Sequence, residues 1–198
     1  MERARFFYDF GSPYGHLAAE RVEKVVGPVE WCPVFLVGIF KAGGRRSWVY
    51  TDGAPAEWAE VERRLRDRGL PPLALCDGWA EKLVPGATPA RSTLLAQRVA
   101  RVAVEHDLAR AFTLALYRET FQRAGDLTDP ETVLGVAAAA GVPRDAAAAA
   151  IEDPRRKEQV RSATDEAVSA GVTGVPTILI GEKRFWGDDR LEDAAAAF

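Results

Sequence analysis

Apolar positions in this chain repeat with two different periods, and the places where the period changes mark the elements. The apolar run over residues 5–10, Arg5-Phe6-Phe7-Tyr8-Asp9-Phe10, predicts a buried first strand. After Gly11-Ser12, the residues Leu17, Ala18, Val22, Val25 and Val26 return on one helical face. They predict a helix over 13–26, with Pro13 in the first turn, where its missing N–H costs nothing. A second strand is expected over 29–36, and a strand–helix–strand unit of this kind wants a right-handed crossover and a parallel pair. The stretch from Gly38 to Pro55, rich in glycine and basic residues, predicts a mobile loop.

Beyond that loop the pattern becomes helical. Trp58, Val61 and Leu65 share a face, followed by Leu94, Leu95, Val99, Val102 and Val104, and then by Phe112, Leu116 and Phe121. Thr128-Asp129-Pro130-Glu131 has the form of a helix start, with proline early and an acid in the first turn. The alanine runs at 137–140 and 146–150 are strong helix formers. Near Gly174 the period changes back: Val175-Pro176-Thr177-Ile178-Leu179-Ile180 is a short apolar run, Gly181-Glu182 a turn, and Arg184-Phe185-Trp186 opens another strand. A proline at the head of a buried strand removes a ladder donor and fits best if the Val175–Pro176 bond is cis. These segments describe a helical domain inserted into an α/β domain, with a small-ligand cleft between the two.

Composition narrows the function classes. The 198 residues are 47% hydrophobic and 28% charged, enough for a core in one or two domains, and a net charge of −3 argues against a nucleic-acid surface. No apolar stretch approaches the roughly 20 residues that span a bilayer, and Met1-Glu2-Arg3 does not resemble a signal peptide, so a cytoplasmic address is expected. Cys32 and Cys76 are too far apart and too few for a metal site or a disulfide framework. Cys32 reads as an inert core residue and Cys76 as a loop thiol.

The turn Ser12-Pro13-Tyr14-Gly15, between a strand and a helix, occupies the place of a thioredoxin-type Cys-x-x-Cys and holds neither cysteine. Ser12 is an N-cap before Pro13, or a hydroxyl that donates to a thiolate brought by a ligand. A cis bend at Pro176 would turn the N–H and C=O of Val175 toward that turn, where an extended peptide could pair as an added strand. Dithiol exchange is disfavoured, because it needs an attacking thiolate and the turn has none.

FYDFGSPYGHLA near the start, GVTGVPT and FWGDDRL near the end, and more weakly FKAGG and LYRETFQRAGDLTDPETV between them, resemble the 2-hydroxychromene-2-carboxylate isomerase and kappa-class glutathione transferase family of the DsbA-like group. The resemblance implies an α/β, thioredoxin-like fold with an inserted all-helical domain. Residues 1–50 and 160–198 would form the thioredoxin-like part and 51–159 the insertion. It also implies glutathione or another low-molecular-weight thiol as cofactor, a small aromatic substrate, and a homodimer. Within it Ser12 would hold the sulfur and Val175-Pro176 would pair with the cysteinyl part. Asp188 and Asp189 would receive the γ-glutamyl end, and Lys41 would neutralise a carboxylate. Asp189 matches the family's Gly-x-Asp-Arg turn directly, whereas Asp188 stands where the kappa pattern has serine.

Other readings stand beside these. Asp188 or Asp189 could simply cap the terminal helix, and Lys41 could be a solvated loop lysine. His16, one turn from Ser12, either reaches the pocket or sits partly exposed, while His106 reads as surface. Arg63, Arg64, Arg66 and Arg68 read as a solvated basic face. The chain departs from the family at Gly43-Gly44-Arg45-Arg46, where relatives carry an asparagine, and offers Trp48, Tyr50 and Trp58 in place of the usual tyrosine segment. The leading expectation is a glutathione-dependent isomerase that acts on an aromatic unsaturated keto-acid. A kappa-like transferase or peroxidase and a non-catalytic thiol-peptide binder are the alternatives.

Overall fold

A computed structural model describes residues 3–79 and 93–197. Strand β1 (Ala4–Tyr8) leads through helices α1 (Pro13–Ala19) and α2 (Val22–Val25) to β2 (Val29–Pro33), then to α3 (Leu36–Ala42), a 3-10 turn at Trp48–Tyr50 and α4 (Ala54–Asp67). Helices α5 (Leu94–Glu105), α6 (Ala109–Gln122), α7 (Pro130–Ala139), α8 (Arg144–Glu152) and α9 (Pro154–Ser169) follow. The chain closes with β3 (Thr177–Ile180), β4 (Lys183–Trp186), a 3-10 turn at Asp188–Arg190 and α10 (Leu191–Ala195).

Among the described residues four strands lie in the order β2-β1-β3-β4. β1 runs parallel to β2, with Phe6 opposite Trp31, and antiparallel to β3, with Phe6 opposite Ile178. Because strand side chains alternate between faces, Ala4, Phe6 and Tyr8 enter the main core with Trp31 and Ile178, beside Phe112, Tyr117 and Phe121 of α6. Phe7 and Leu179 point the other way, into a second core with Val34, Ile39, Ala167 and Val172. Both faces of the sheet are therefore covered, which is why β1 reads as a continuous apolar run. The aromatic rings meet edge-on or offset, as Phe6 and Trp31 do at 5.1 Å, and each such pair adds about 0.5–1.5 kcal/mol beyond area burial. Helices α5 to α8 pack on one another, while α9 packs on α3, β2 and α5 and runs through the region where the domain boundary was expected. Asp129 caps α7, accepting from the Thr132 N–H at 3.0 Å, as the Asp-Pro start predicted.

Four expected boundaries move, each for a local reason. β1 ends at Tyr8 instead of residue 10, because the Asp9 carboxylate takes N–H groups from Gly11 and Leu36 and turns the chain. The helix expected over 13–26 breaks at Glu20 and Arg21. Its first half sends Leu17 toward Val61 and Leu65 of α4, whereas Val22 joins the main core, and Arg21 pairs with Glu192 of α10. β2 stops at Pro33: the Val34 N–H still reaches the Tyr8 carbonyl at 3.0 Å, but the N–H groups after it turn away, Phe35 to Thr164 and Leu36 to Asp9. The supposed loop at 38–55 contains most of α3 and the start of α4; Ile39 is buried in the second core, and a Cβ at Gly38 would lie 3.0 Å from Thr164 of α9.

His16 is neither partly exposed nor among the residues that line the cavity beside Ser12. It is 1% exposed in the α1–α6 interface, stacked on Phe121 at 5.7 Å, with Nε2 3.1 Å from the Gln122 side-chain nitrogen. Burial drives its pKa from 6.5 down to about 4. A histidine held neutral in the fold contributes stability above its unfolded pKa and loses it as pH falls from 6.5 toward 4. The loss between pH 7 and pH 4 is about 3 kcal/mol on linkage grounds. Burial raises the Asp9 carboxyl, which acts with the opposite sign over the acid part of this range, but that contribution cancels between wild type and a His16 variant. Urea unfolding of wild type and His16→Gln at pH 7 and pH 4 should give a smaller pH dependence in the variant; equal dependence would refute this account of His16.

Candidate active site

The site begins with Asp9. This carboxylate, 1% exposed, accepts the N–H of Gly11 at 2.8 Å, the N–H of Leu36 at 2.9 Å and the hydroxyl of Thr93 at 3.0 Å. Its main-chain carbonyl accepts from Ser12 N–H at 3.0 Å and from the Tyr117 hydroxyl at 2.9 Å. Burial pushes the carboxyl group up, while the donors hold it down. The turn before Ser12, the start of α3 and the start of α5 are thereby tied to one residue.

Ser12, 5% exposed, is the N-cap of α1: its Oγ accepts from the Gly15 N–H at 3.0 Å. The capping reading therefore holds, and it leaves the hydroxyl hydrogen free to donate. Gly15 is required here, because a Cβ would meet the Tyr117 hydroxyl oxygen at 2.3 Å. The seven-residue α1 is too short to rely on for charge stabilisation, so the hydroxyl is the group to consider.

Ser12 opens onto a cavity of about 390 Å³ shared with Val175, Pro176, Asp188 and Asp189. The Val175–Pro176 peptide is cis. Around it, Thr177 Oγ1 donates to the Gly174 carbonyl at 2.7 Å and Gly187 N–H donates to the Pro176 carbonyl at 2.9 Å. The main chain of Val175 makes no hydrogen bond among the described residues. Tyr14 and Trp48 supply aromatic walls, with rings 6.1 Å apart. The Tyr14 hydroxyl donates to Glu57 at 2.6 Å, and burial together with that carboxylate pushes its pKa upward, so it stays a neutral phenol. Neither cysteine lines this cavity. Cys32 borders a separate cavity between β2 and α9, where burial pushes its thiol up to about 12 and leaves it inert.

Five of the six residues singled out in the sequence thus line one cavity, and Lys41 does not. It is exposed on the last turn of α3, outside the cavity, because the expected loop is a helix. Its place is taken by Arg45, whose guanidinium lies 4.6 Å from the Trp186 ring and donates to the Thr173 carbonyl at 3.1 Å, and by Arg46, which makes no ion pair among the described residues. The two aspartates also differ. Asp189 has a side chain 58% exposed, whereas Asp188 is 1% exposed and lies between Arg64 Nη1 at 2.6 Å and Arg68 Nη2 at 2.5 Å. Only Arg63 and Arg66 of the supposed solvated face point outward; Arg64 and Arg68 turn in. Asp9, Tyr14 and Arg64 were not picked out as site residues by sequence reasoning, and their i,i+4 or near-turn spacing gives no hint of partners 27 to 124 residues away. Among the described residues there is no cluster fit for a metal ion and no helix long and apolar enough to cross a membrane.

Comparison with known proteins agrees with this fold. The DSBA-like thioredoxin domain model matches residues 4–198. A 2-hydroxychromene-2-carboxylate isomerase from Sphingobium xenophagum is 25% identical over 193 residues, covering 94% of this chain and 93% of that protein. A solved 2-hydroxychromene-2-carboxylate isomerase superposes with a TM-score of 0.81 at 18% identity, covering 99% of this chain and 94% of that one. A cytosolic disulfide reductase, DsbM from Pseudomonas aeruginosa, solved with GSH, superposes with a TM-score of 0.62 at 15% identity, covering 99% and 96%.

Asp9→Ala leaves two N–H groups and a hydroxyl buried without an acceptor, and should lower unfolding free energy by about 3 kcal/mol or more. Asp9→Asn, which keeps one acceptor oxygen, should lose less. Equal losses in denaturant titrations of the two variants would contradict the hub role.

Proposed function

The chain belongs to the DSBA-like thioredoxin domain family, and within that family we propose that it is a glutathione-dependent isomerase of the 2-hydroxychromene-2-carboxylate type. The observation that carries the reading is the pairing, across one cavity without a cysteine, of the free Ser12 hydroxyl hydrogen with the unbonded main chain of Val175. A thiol site that owns no thiol is suited to a ligand that brings one.

The residues present fit a thiol tripeptide in part. Val175 offers one N–H and one C=O to an extended peptide, the pairing by which a strand is added to a sheet. Arg45 and Arg46 at the cavity wall suit the carboxylates of both the tripeptide and a keto-acid substrate, and Asp189 suits an ammonium group. Asp188 and Lys41 do not fit the roles that the family resemblance gave them. When bound, the tripeptide supplies a sulfur nucleophile for reversible addition to, and expulsion from, an unsaturated carbon. The chain's own work is to hold that sulfur as an anion and to orient the substrate against Tyr14 and Trp48. A hydrogen bond from Ser12 to a charged sulfur is worth about 1.5–3 kcal/mol. At about 1.4 kcal/mol per unit, that lowers a thiol pKa by one unit or more and makes thiolate abundant near neutrality. The same reading takes a small aromatic carboxylic acid as substrate and, on the family resemblance, a homodimer in the cytoplasm.

Thiolate absorbance of glutathione titrated with the protein should show an apparent pKa about one unit below that of the free thiol, and Ser12→Ala should abolish the shift. Absence of binding at millimolar glutathione would remove the proposal. During turnover of an aromatic unsaturated keto-acid, thiol titration should find glutathione returned in full; its consumption would indicate a transferase.

A further inference from the structure

Helix α4 carries two inward arginines one turn apart, and both meet the same buried carboxylate from the far end of the chain. Asp188 Oδ1 lies 2.6 Å from Arg64 Nη1, and Oδ2 lies 2.5 Å from Arg68 Nη2. At 1% exposure, and with a guanidinium against each oxygen, Asp188 is poorly placed to receive a ligand's ammonium. Placing an ammonium there would mean pulling a buried ion pair apart. What Asp188 does is fix Arg64.

Arg64 is held at three points. Its Nε donates to Glu60 Oε1 at 2.7 Å, its Nη1 donates to Asp188, and its guanidinium sits 5.4 Å from the centre of the Tyr14 ring, two residues from Ser12. The two N–H groups of Nη2 make no hydrogen bond among the described residues; Asp189 Oδ2 lies 3.8 Å away. Asp189 is half open, accepts no hydrogen bond among the described residues, and packs over Gly187, where a Cβ would fall 2.3 Å from its Oδ1 and where φ is +123°. Both Arg64 and Asp189 line the cavity. They present a fixed cationic donor beside an open anionic acceptor, slightly too far apart to satisfy each other. Since Arg64 and Arg68 already face Glu60, Asp188 and Asp189, the cluster offers no net positive charge to a bare anion. A group that carries its own ammonium next to its carboxylate fits it.

We propose that Arg64 is a specificity-determining residue that receives the α-carboxylate of an α-amino-acid end, whose ammonium goes to Asp189, with Asp188, Arg68 and Glu60 as positioning residues. The inference rests on the thiol reading above, since the γ-glutamyl end of glutathione is such a group, and it assigns that group's carboxylate to a residue of α4.

The test is calorimetric titration of wild type, Arg64→Gln and Arg64→Lys with three peptides: glutathione, γ-aminobutyryl-cysteinylglycine, which lacks the α-carboxylate, and glutaryl-cysteinylglycine, which lacks the ammonium. Wild type should bind each truncated peptide on the order of tenfold more weakly than glutathione, as expected for losing one charge-assisted contact. In Arg64→Gln, glutathione should fall to the level of the decarboxylated peptide, whose own affinity changes less than about twofold for want of a contact to lose. Arg64→Lys should fall between, because one ammonium cannot reproduce the three-point geometry. Thermal melts establish that each variant is folded; should Arg64→Gln not fold, the wild-type peptide series and Arg64→Lys decide. Equal binding of all three peptides by wild type overturns the Arg64 assignment and leaves the thiol site standing. So does discrimination that survives in Arg64→Gln, or an equal loss for all three peptides. Binding of none of them removes the thiol reading, and this inference with it.

Discussion

A single buried carboxylate sets the geometry on which the rest depends. Asp9 ends β1, and its two oxygens gather the Gly11 and Leu36 N–H groups and the Thr93 hydroxyl from three separate segments. Its main-chain carbonyl takes the Ser12 N–H and the Tyr117 hydroxyl. Burying a charge costs several kcal/mol unless donors replace water, so the three segments must converge for the strand to end there. The Ser12 turn is consequently a rigid feature, fixed to the sheet below and to α6 beside it.

On this base the sheet does two jobs. Its covered faces supply the cores, with Phe6 and Tyr8 on one side and Phe7 and Leu179 on the other. Beyond the ends of β1 and β3, where pairing stops, the chain presents unbonded backbone at Val175 and a hydroxyl at Ser12. The cavity that Ser12 and Val175 share is lined by three arginines, Arg45, Arg46 and Arg64, and by three acids, Glu57, Asp188 and Asp189.

The charge pattern explains why part of the site escaped sequence reasoning. Ser12, Val175, Pro176 and Asp189 could be singled out because each sits in a short motif whose local geometry is nearly self-determined. Lys41 failed for a different reason: glycine content suggested a loop, whereas burial of Ile39 and close packing of Gly38 on Thr164 made a helix that turns the lysine outward. Arg64 and Arg68 look like any solvated i,i+4 pair until Asp188 is brought beneath them by the fold. The same holds for His16, whose burial comes from Phe121 and Gln122 on another helix.

What the sequence determined by itself was the kind of element at most positions, the placement of a reactive-type turn after β1, and the absence of a cysteine from it. Those properties depend on side-chain type and short-range periodicity, which the chain carries wherever it goes. The tertiary structure alone decided where β1, α1 and β2 stop, which arginines face inward, and that Asp188 is buried between two of them. Each of those outcomes depends on a hydrogen bond or ion pair between residues remote in the chain, and no local pattern encodes the identity of a distant partner.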